Sequence, residues 1–160
     1  MHLHEDLVAK VKRGDVLTVN DTGAYLLLEL PPTVMLSRLG RFLADMLAAG
    51  VRPILTHPER HPRIAGEDGE LEGWVRGGGL VQVTAGAYLG KFGRTAQETV
   101  ERWARAGLVH VIATDAHPLP GREPLLREAA ERLKGVAGAE AAERIIRTNP
   151  ETIINGKDIL

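Results

Sequence analysis

The sequence predicts an α/β fold built on a parallel sheet. Apolar, β-prone runs of about four to six residues alternate with stretches of helical period, which is the pattern of strand–helix–strand crossovers. Short apolar strands separated by helices imply a parallel sheet with right-handed crossovers. An apolar fraction of 44% and a charged fraction of 26% suit a globular chain with a real core. A length of 160 residues makes this one domain.

The elements follow in order. Glu5 to Lys12 reads as a short helix with Leu7, Val8 and Val11 on one side. Val16–Val19 and Ala24–Leu30 are β-prone runs separated by Asn20-Asp21-Thr22-Gly23, whose turn chemistry predicts a hairpin. Pro31-Pro32 ends the second run. Leu36, Leu39, Leu43, Met46 and Leu47 recur at helical spacing, and Gly50 marks the stop. Pro53–Thr56 is a short buried strand. Glu67–Arg76 is a helix with Leu71, Trp74 and Val75 on one face, broken by Gly77-Gly78-Gly79. Leu80–Thr84 is a strand, and Thr95–Ala106 is a helix with Ala96, Val100, Trp103 and Ala104 inward. Val109–Ala113 is a strand and Glu123–Lys134 a helix. Ala139–Arg147 is the last helix, stopped by Asn149-Pro150.

This order leaves two architectures, an open doubly wound sheet or part of a β/α barrel. The Gly77–Gly79 run precedes a strand and not a helix, so it is not a phosphate-cradling dinucleotide loop. A net charge of −1 leaves no electrostatic footprint for nucleic acid or an anionic membrane. No apolar run reaches the roughly 18 residues of a membrane span, and the charged start lacks a signal-like segment, so a cytoplasmic location is expected. The absence of cysteine excludes disulfides, thiolate metal sites and a Cys nucleophile.

The unusual polar residues fall at strand ends. Glu29 closes Ala24–Leu30, His57 follows Pro53–Thr56, and Asp115 and His117 follow Val109–Ala113. The carboxyl ends of parallel strands are where β/α folds place their chemistry. One Glu, one Asp and two imidazoles form an oxygen and nitrogen donor set suited to Mn, Fe, Zn or Mg. Taken singly, each has a plainer reading: Glu29 as a salt-bridged core residue, His57 as a core histidine, Asp115 as a helix N-cap. Their equivalent positions favour the metal reading for the set. His2 and His4 have ligand-like spacing but run into a charged helix at the terminus, where solvated side chains are expected.

The blocks Thr56-His57-Pro58-Glu59-Arg60 and Ala113-Thr114-Asp115-Ala116-His117 carry a family resemblance. Between them lie Gln82-Val83-Thr84-Ala85-Gly86 and Leu89-Gly90-Lys91-Phe92-Gly93, and upstream stand Leu17 to Thr22 and Leu28-Glu29-Leu30-Pro31. In this order the chain resembles the PHP-domain (polymerase and histidinol phosphatase) tyrosine-protein phosphatases of bacterial capsule and exopolysaccharide loci. The resemblance spans essentially all 160 residues. It implies a distorted β/α barrel with divalent metals, commonly Mn, at the strand ends. It further implies Glu29, His57, Asp115 and His117 as metal ligands, with Arg60 and Arg122 as phosphate-binding arginines. Arginine's planar fork gives two parallel hydrogen bonds to a phosphate.

The family's opening Ile-Asp-x-His-x-His strand, second histidine segment and Gly-x-Glu strand have no counterpart here. The expected fold is therefore a partial barrel of about four parallel strands with helices outside, residues 1–160 forming the carboxyl-terminal portion of a single PHP domain. His2 and His4 do not occupy the His-x-His position. The implied partner is a phosphotyrosine protein, a bacterial tyrosine kinase in the first instance, and an unclosed sheet edge favours a homo-oligomer. The alternatives are a small-molecule phosphatase of the histidinol-phosphatase type, or an inactive remnant that binds a partner through its edge.

Overall fold

The computed structural model describes residues 6–66, 68–116 and 125–159. Four strands, β1 (Tyr25–Leu28), β2 (Arg52–Thr56), β3 (Leu80–Thr84) and β4 (Val111–Ala113), form one parallel sheet in the order β1-β2-β3-β4. That order decides between the two architectures. A doubly wound sheet reverses direction at a switch point, whereas here each strand lies beside its predecessor, as in a stretch of β/α barrel.

The helices are α1 (Leu7–Arg13), α2 (Gly40–Ala48), α3 (Asp68–Arg76), α4 (Ala85–Tyr88), α5 (Arg94–Arg105), α6 (Leu126–Ala137), α7 (Ala139–Glu143) and α8 (Asn149–Ile154). Side chains alternate across each strand, and the two faces of the sheet have different neighbours. Leu26, Leu28, Leu55, Val81 and Val83 join the main core with Leu43, Met46, Leu71, Trp74, Val100 and Trp103 of the helices. Tyr25, Ile54 and Leu80 face the other way and meet Ile153 of α8. Trp74 donates its indole N–H to the Leu80 carbonyl at 3.0 Å. The ring lies so close to the chain that a Cβ on Gly79 would stand 2.3 Å from it, which explains the glycine there.

Two local expectations fail. The Val16–Val19 strand and its hairpin do not form; Val19–Asp21 is a single 3-10 turn, and β1 instead pairs in parallel with β2. Local side chains explain the turn. The Thr18 hydroxyl accepts the Gly23 N–H at 2.9 Å, Thr22 donates its hydroxyl to the Val19 carbonyl at 3.0 Å, and Asn20 donates to the Ile154 carbonyl at 3.1 Å. Such bonds offer the backbone an alternative to a ladder. Leu17 is left 80% exposed, unlike a strand residue in a core.

The last helix does not stop at Asn149-Pro150. A π turn over Arg144–Thr148 follows α7, and α8 starts at Asn149 with Pro150 in its first turn. Proline lacks an amide donor, which is harmless in the first turn of a segment, and the wider π register absorbs the offset. Asn149 donates its side-chain amide to the His110 carbonyl at 2.9 Å, tying this junction to the start of β4. Among the described residues, no helix is long and apolar enough to cross a membrane.

Candidate metal and phosphate site

Three of the four strands, β1, β2 and β4, hand over a polar site residue at their carboxyl ends. Glu29 shares a face with Tyr25 and Leu27 by the alternation of the pleat. His57 follows β2 directly in a left-handed conformation, φ 39° and ψ 49°, while its N–H donates to the Gln82 carbonyl at 2.8 Å. Asp115 follows β4 and is also left-handed, φ 47°. Among the described residues, the remaining non-glycine positions with positive φ are Asn20 and Asp21 in the turn before β1. Strain of this kind persists where the surroundings impose it, and it gathers at functional sites. Here it marks two of the strand ends singled out by sequence.

The side chains meet in two pairs. His57 Nε2 lies 3.8 Å from Glu29 Oε1. Arg60 donates from Nη1 to Asp115 Oδ2 at 2.9 Å, and its guanidinium lies 5.1 Å from the centroid of the Phe92 ring. Glu29, His57 and Arg60 line one cleft of about 220 Å³ together with Pro32, Thr56 and His61. The Thr56 hydroxyl donates to the Leu28 carbonyl at 3.2 Å, which keeps the ends of β1 and β2 in step. Burial lowers the His57 pKa first and the Arg60 guanidinium second; Glu29 and Asp115 oppose them. The net effect favours a neutral imidazole, the form a metal ion needs.

Imidazole nitrogen and carboxylate oxygen each bind such ions at about 2.0–2.2 Å, so two ligands of one ion lie within about 4.4 Å of each other. The separation of 3.8 Å between Glu29 and His57 meets that condition. Among the described residues, no group of three or more His, Asp or Glu side chains is arranged to hold an ion. Glu29 and His57 therefore fit part of a metal site. His117 and Arg122, like His2 and His4, lie outside the described residues.

Three nearby residues escaped a role in the sequence reading. His61 Nε2 donates to the Pro31 carbonyl at 3.0 Å, joining the segment after the turn Pro58–Arg60 to the end of β1. Phe92 supplies the ring beneath Arg60. Glu59 is 3% exposed, and burial raises the pKa of its carboxyl against the hydrogen bonds from Thr84. Glu59 and Phe92 sit in motif blocks and His61 directly follows one, but a block does not show which of its members faces inward.

The family model described as capsular polysaccharide synthesis, CpsB/CapC, matches residues 1–155. The CapC protein of Staphylococcus aureus is 26% identical over 155 residues, covering 97% of this chain and 60% of the relative. The tyrosine-protein phosphatase YwqE of Bacillus subtilis is 26% identical over 159 residues, covering 99% of this chain and 62% of the relative. A solved structure described with YwqE and with CpsB from Streptococcus pneumoniae as metal-dependent tyrosine phosphatases superimposes with a TM-score of 0.92 at 26% identity. It covers 99% of this chain and 64% of that one. The chain thus spans about three fifths of the length of the curated relatives it matches. With this match over nearly all its length, the chain belongs to the CpsB/CapC family of capsular polysaccharide synthesis proteins.

Proposed function

We propose that this chain carries one side of a metal-dependent phosphomonoesterase site acting on phosphotyrosine in proteins, with a bacterial tyrosine kinase of polysaccharide export as the first candidate substrate. The observation that carries this reading is the Glu29–His57 pair at 3.8 Å beside Arg60 in one cleft, in a chain of the CpsB/CapC family. Glu29 and His57, with Asp115 and His117, hold divalent ions, Mn first and Fe, Zn or Mg by the same donor chemistry. Bound there, such ions neutralise charge on the phosphoryl oxygens as Lewis acids. Arg60 and Arg122 hold the phosphate, Arg60 from a guanidinium already oriented by Asp115 and Phe92. In this reading the setting is cytoplasmic, that of the proposed protein substrate.

Residues 1–160 are, in this reading, the carboxyl-terminal portion of one PHP domain, whose remaining strands supply further ligands. Two to four ligands shared among several ions leave each with few protein contacts, so the chain alone binds metal weakly and turns over little substrate. Leu27, in the outermost strand, is 42% exposed and favours self-association. Assays of p-nitrophenyl phosphate and histidinol phosphate, with the chain alone and with a version extended upstream, test the proposal. The expected result is Mn-dependent cleavage of the aryl ester by the extended protein and little by the chain alone. Preference for histidinol phosphate would replace the substrate assignment.

A further inference from the structure

Glu59 is a buried carboxyl next to a solvent-reached arginine. Its Oε1 accepts two hydrogen bonds from one residue, the Thr84 N–H at 2.9 Å and the Thr84 hydroxyl at 2.6 Å. Its Oε2 has no hydrogen-bond partner among the described residues. Burying a half-satisfied carboxyl is costly, and an apolar side chain of similar volume would fill the same space more cheaply. Core filling therefore does not account for a glutamate here.

The position of its partner does. Thr84 is the last residue of β3, and β2 has already ended at Thr56. Beyond Thr56 the chain makes two further ties to β3: the His57 N–H to the Gln82 carbonyl at 2.8 Å, then the Glu59 carboxyl to Thr84. The second tie continues the pairing past a left-handed residue, where a backbone ladder cannot. Between the two ties lies the turn, and the Arg60 N–H closes it on the His57 carbonyl at 3.1 Å.

We propose that Glu59 is a positioning residue whose carboxyl, gripped by Thr84, locks the His57–Arg60 turn so that imidazole and guanidinium face one cleft. This rests on the reading of His57 and Arg60 as metal and phosphate residues, and the test separates the two. Four variants of the chain serve: Glu59→Gln keeps the acceptor oxygen, Glu59→Leu fills the space without it, Thr84→Val removes the hydroxyl donor alone, and Arg60→Ala tests the phosphate reading. Amide hydrogen exchange at His57 and Arg60 is read against the β1–β2 ladder, and inorganic phosphate is titrated in parallel.

Losing the carboxyl tie should open the turn locally, raising exchange at both amides by about tenfold or more in Glu59→Leu, with the β1–β2 ladder unchanged. Glu59→Gln should restore protection to within about threefold and Thr84→Val should fall between, since each keeps part of the same acceptor–donor pair. Phosphate affinity should follow the same ranking. A folded Glu59→Leu chain with wild-type exchange at both amides would overturn the proposal, as would a glutamine variant no better than leucine. If Glu59→Leu does not fold, unchanged exchange in Thr84→Val overturns it instead. Phosphate binding that Arg60→Ala leaves intact would remove the phosphate reading of Arg60, while the exchange data still decide the role of Glu59.

Discussion

The two ends of the same four strands are built on opposite terms. At the amino end the sheet is shut: Ile153 of α8 packs on Tyr25, Ile54 and Leu80, Tyr25 donates its hydroxyl to the Lys157 carbonyl at 2.7 Å, and Arg52 pairs with Asp158 at 3.3 Å. At the carboxyl end the strands run out into a cleft. There His57 and Asp115 take left-handed backbone, one oxygen of the Glu59 carboxyl has no hydrogen-bond partner among the described residues, and Glu29 lies 3.8 Å from His57. Apolar contact and satisfied tails make one end a source of stability. The other end holds left-handed backbone and a buried, half-satisfied carboxyl that the first must support, the division of labour expected of β/α folds. Substitutions at the two ends should therefore fail in different ways.

The largest effect belongs to the closed end. Leu80→Ala removes a fully buried side chain from the first position of the inner strand β3 and should cost about 2–5 kcal/mol. Denaturant titration should record that loss, with the metal affinity of the folded fraction unchanged. At the open end the penalty should fall on function. In the upstream-extended protein, Arg60→Ala should lower turnover at least about a hundredfold, by analogy with removing one oxyanion donor, with metal content retained. Normal turnover in that variant would mean that phosphate is held elsewhere.

Acid should weaken the closed end through His110. This histidine is 7% exposed, its Nδ1 accepts the Val81 N–H at 3.2 Å, and burial brings its pKa down to about 4. Between about pH 6.5 and 4 the unfolded chain binds a proton that the folded chain refuses, so stability falls as pH drops through that window. The full loss is about 3 kcal/mol. Unfolding curves at pH 7 and pH 4 should show it, and His110→Gln should flatten the difference. Smallest of all should be a change remote from both ends. Glu72 pairs with Arg76 at 3.2 Å on exposed turns of α3, and Glu72→Ala should move stability by less than about 0.5 kcal/mol.

Much of this division was legible in the residues. The strands Pro53–Thr56 and Leu80–Thr84 read clearly because each is a short, mostly apolar run preceded by a glycine stop, at Gly50 and at Gly77-Gly78-Gly79. Glu29, His57 and Asp115 stood out because each interrupts apolar sequence where a strand must end. The hairpin was misread because Asn20 to Gly23 has the same turn chemistry whether the chain folds back or makes a 3-10 turn. What separates the cases is the Asn20 bond to Ile154, 134 residues away. The helix end at Asn149-Pro150 was misread because a proline marks a stop only if the register is continuous, and the π turn shifts it. Glu59 was invisible as a buried group because its partner Thr84 is 25 residues along the chain.

The central claim is that the carboxyl end of this sheet holds divalent metal through Glu29 and His57. Metal analysis after gel filtration in Mn-containing buffer tests it most directly, applied to the upstream-extended protein and to its His57→Ala variant. The account predicts that the extended protein retains Mn and that His57→Ala loses it while still unfolding cooperatively. A folded His57→Ala variant that keeps the full metal complement would contradict the account.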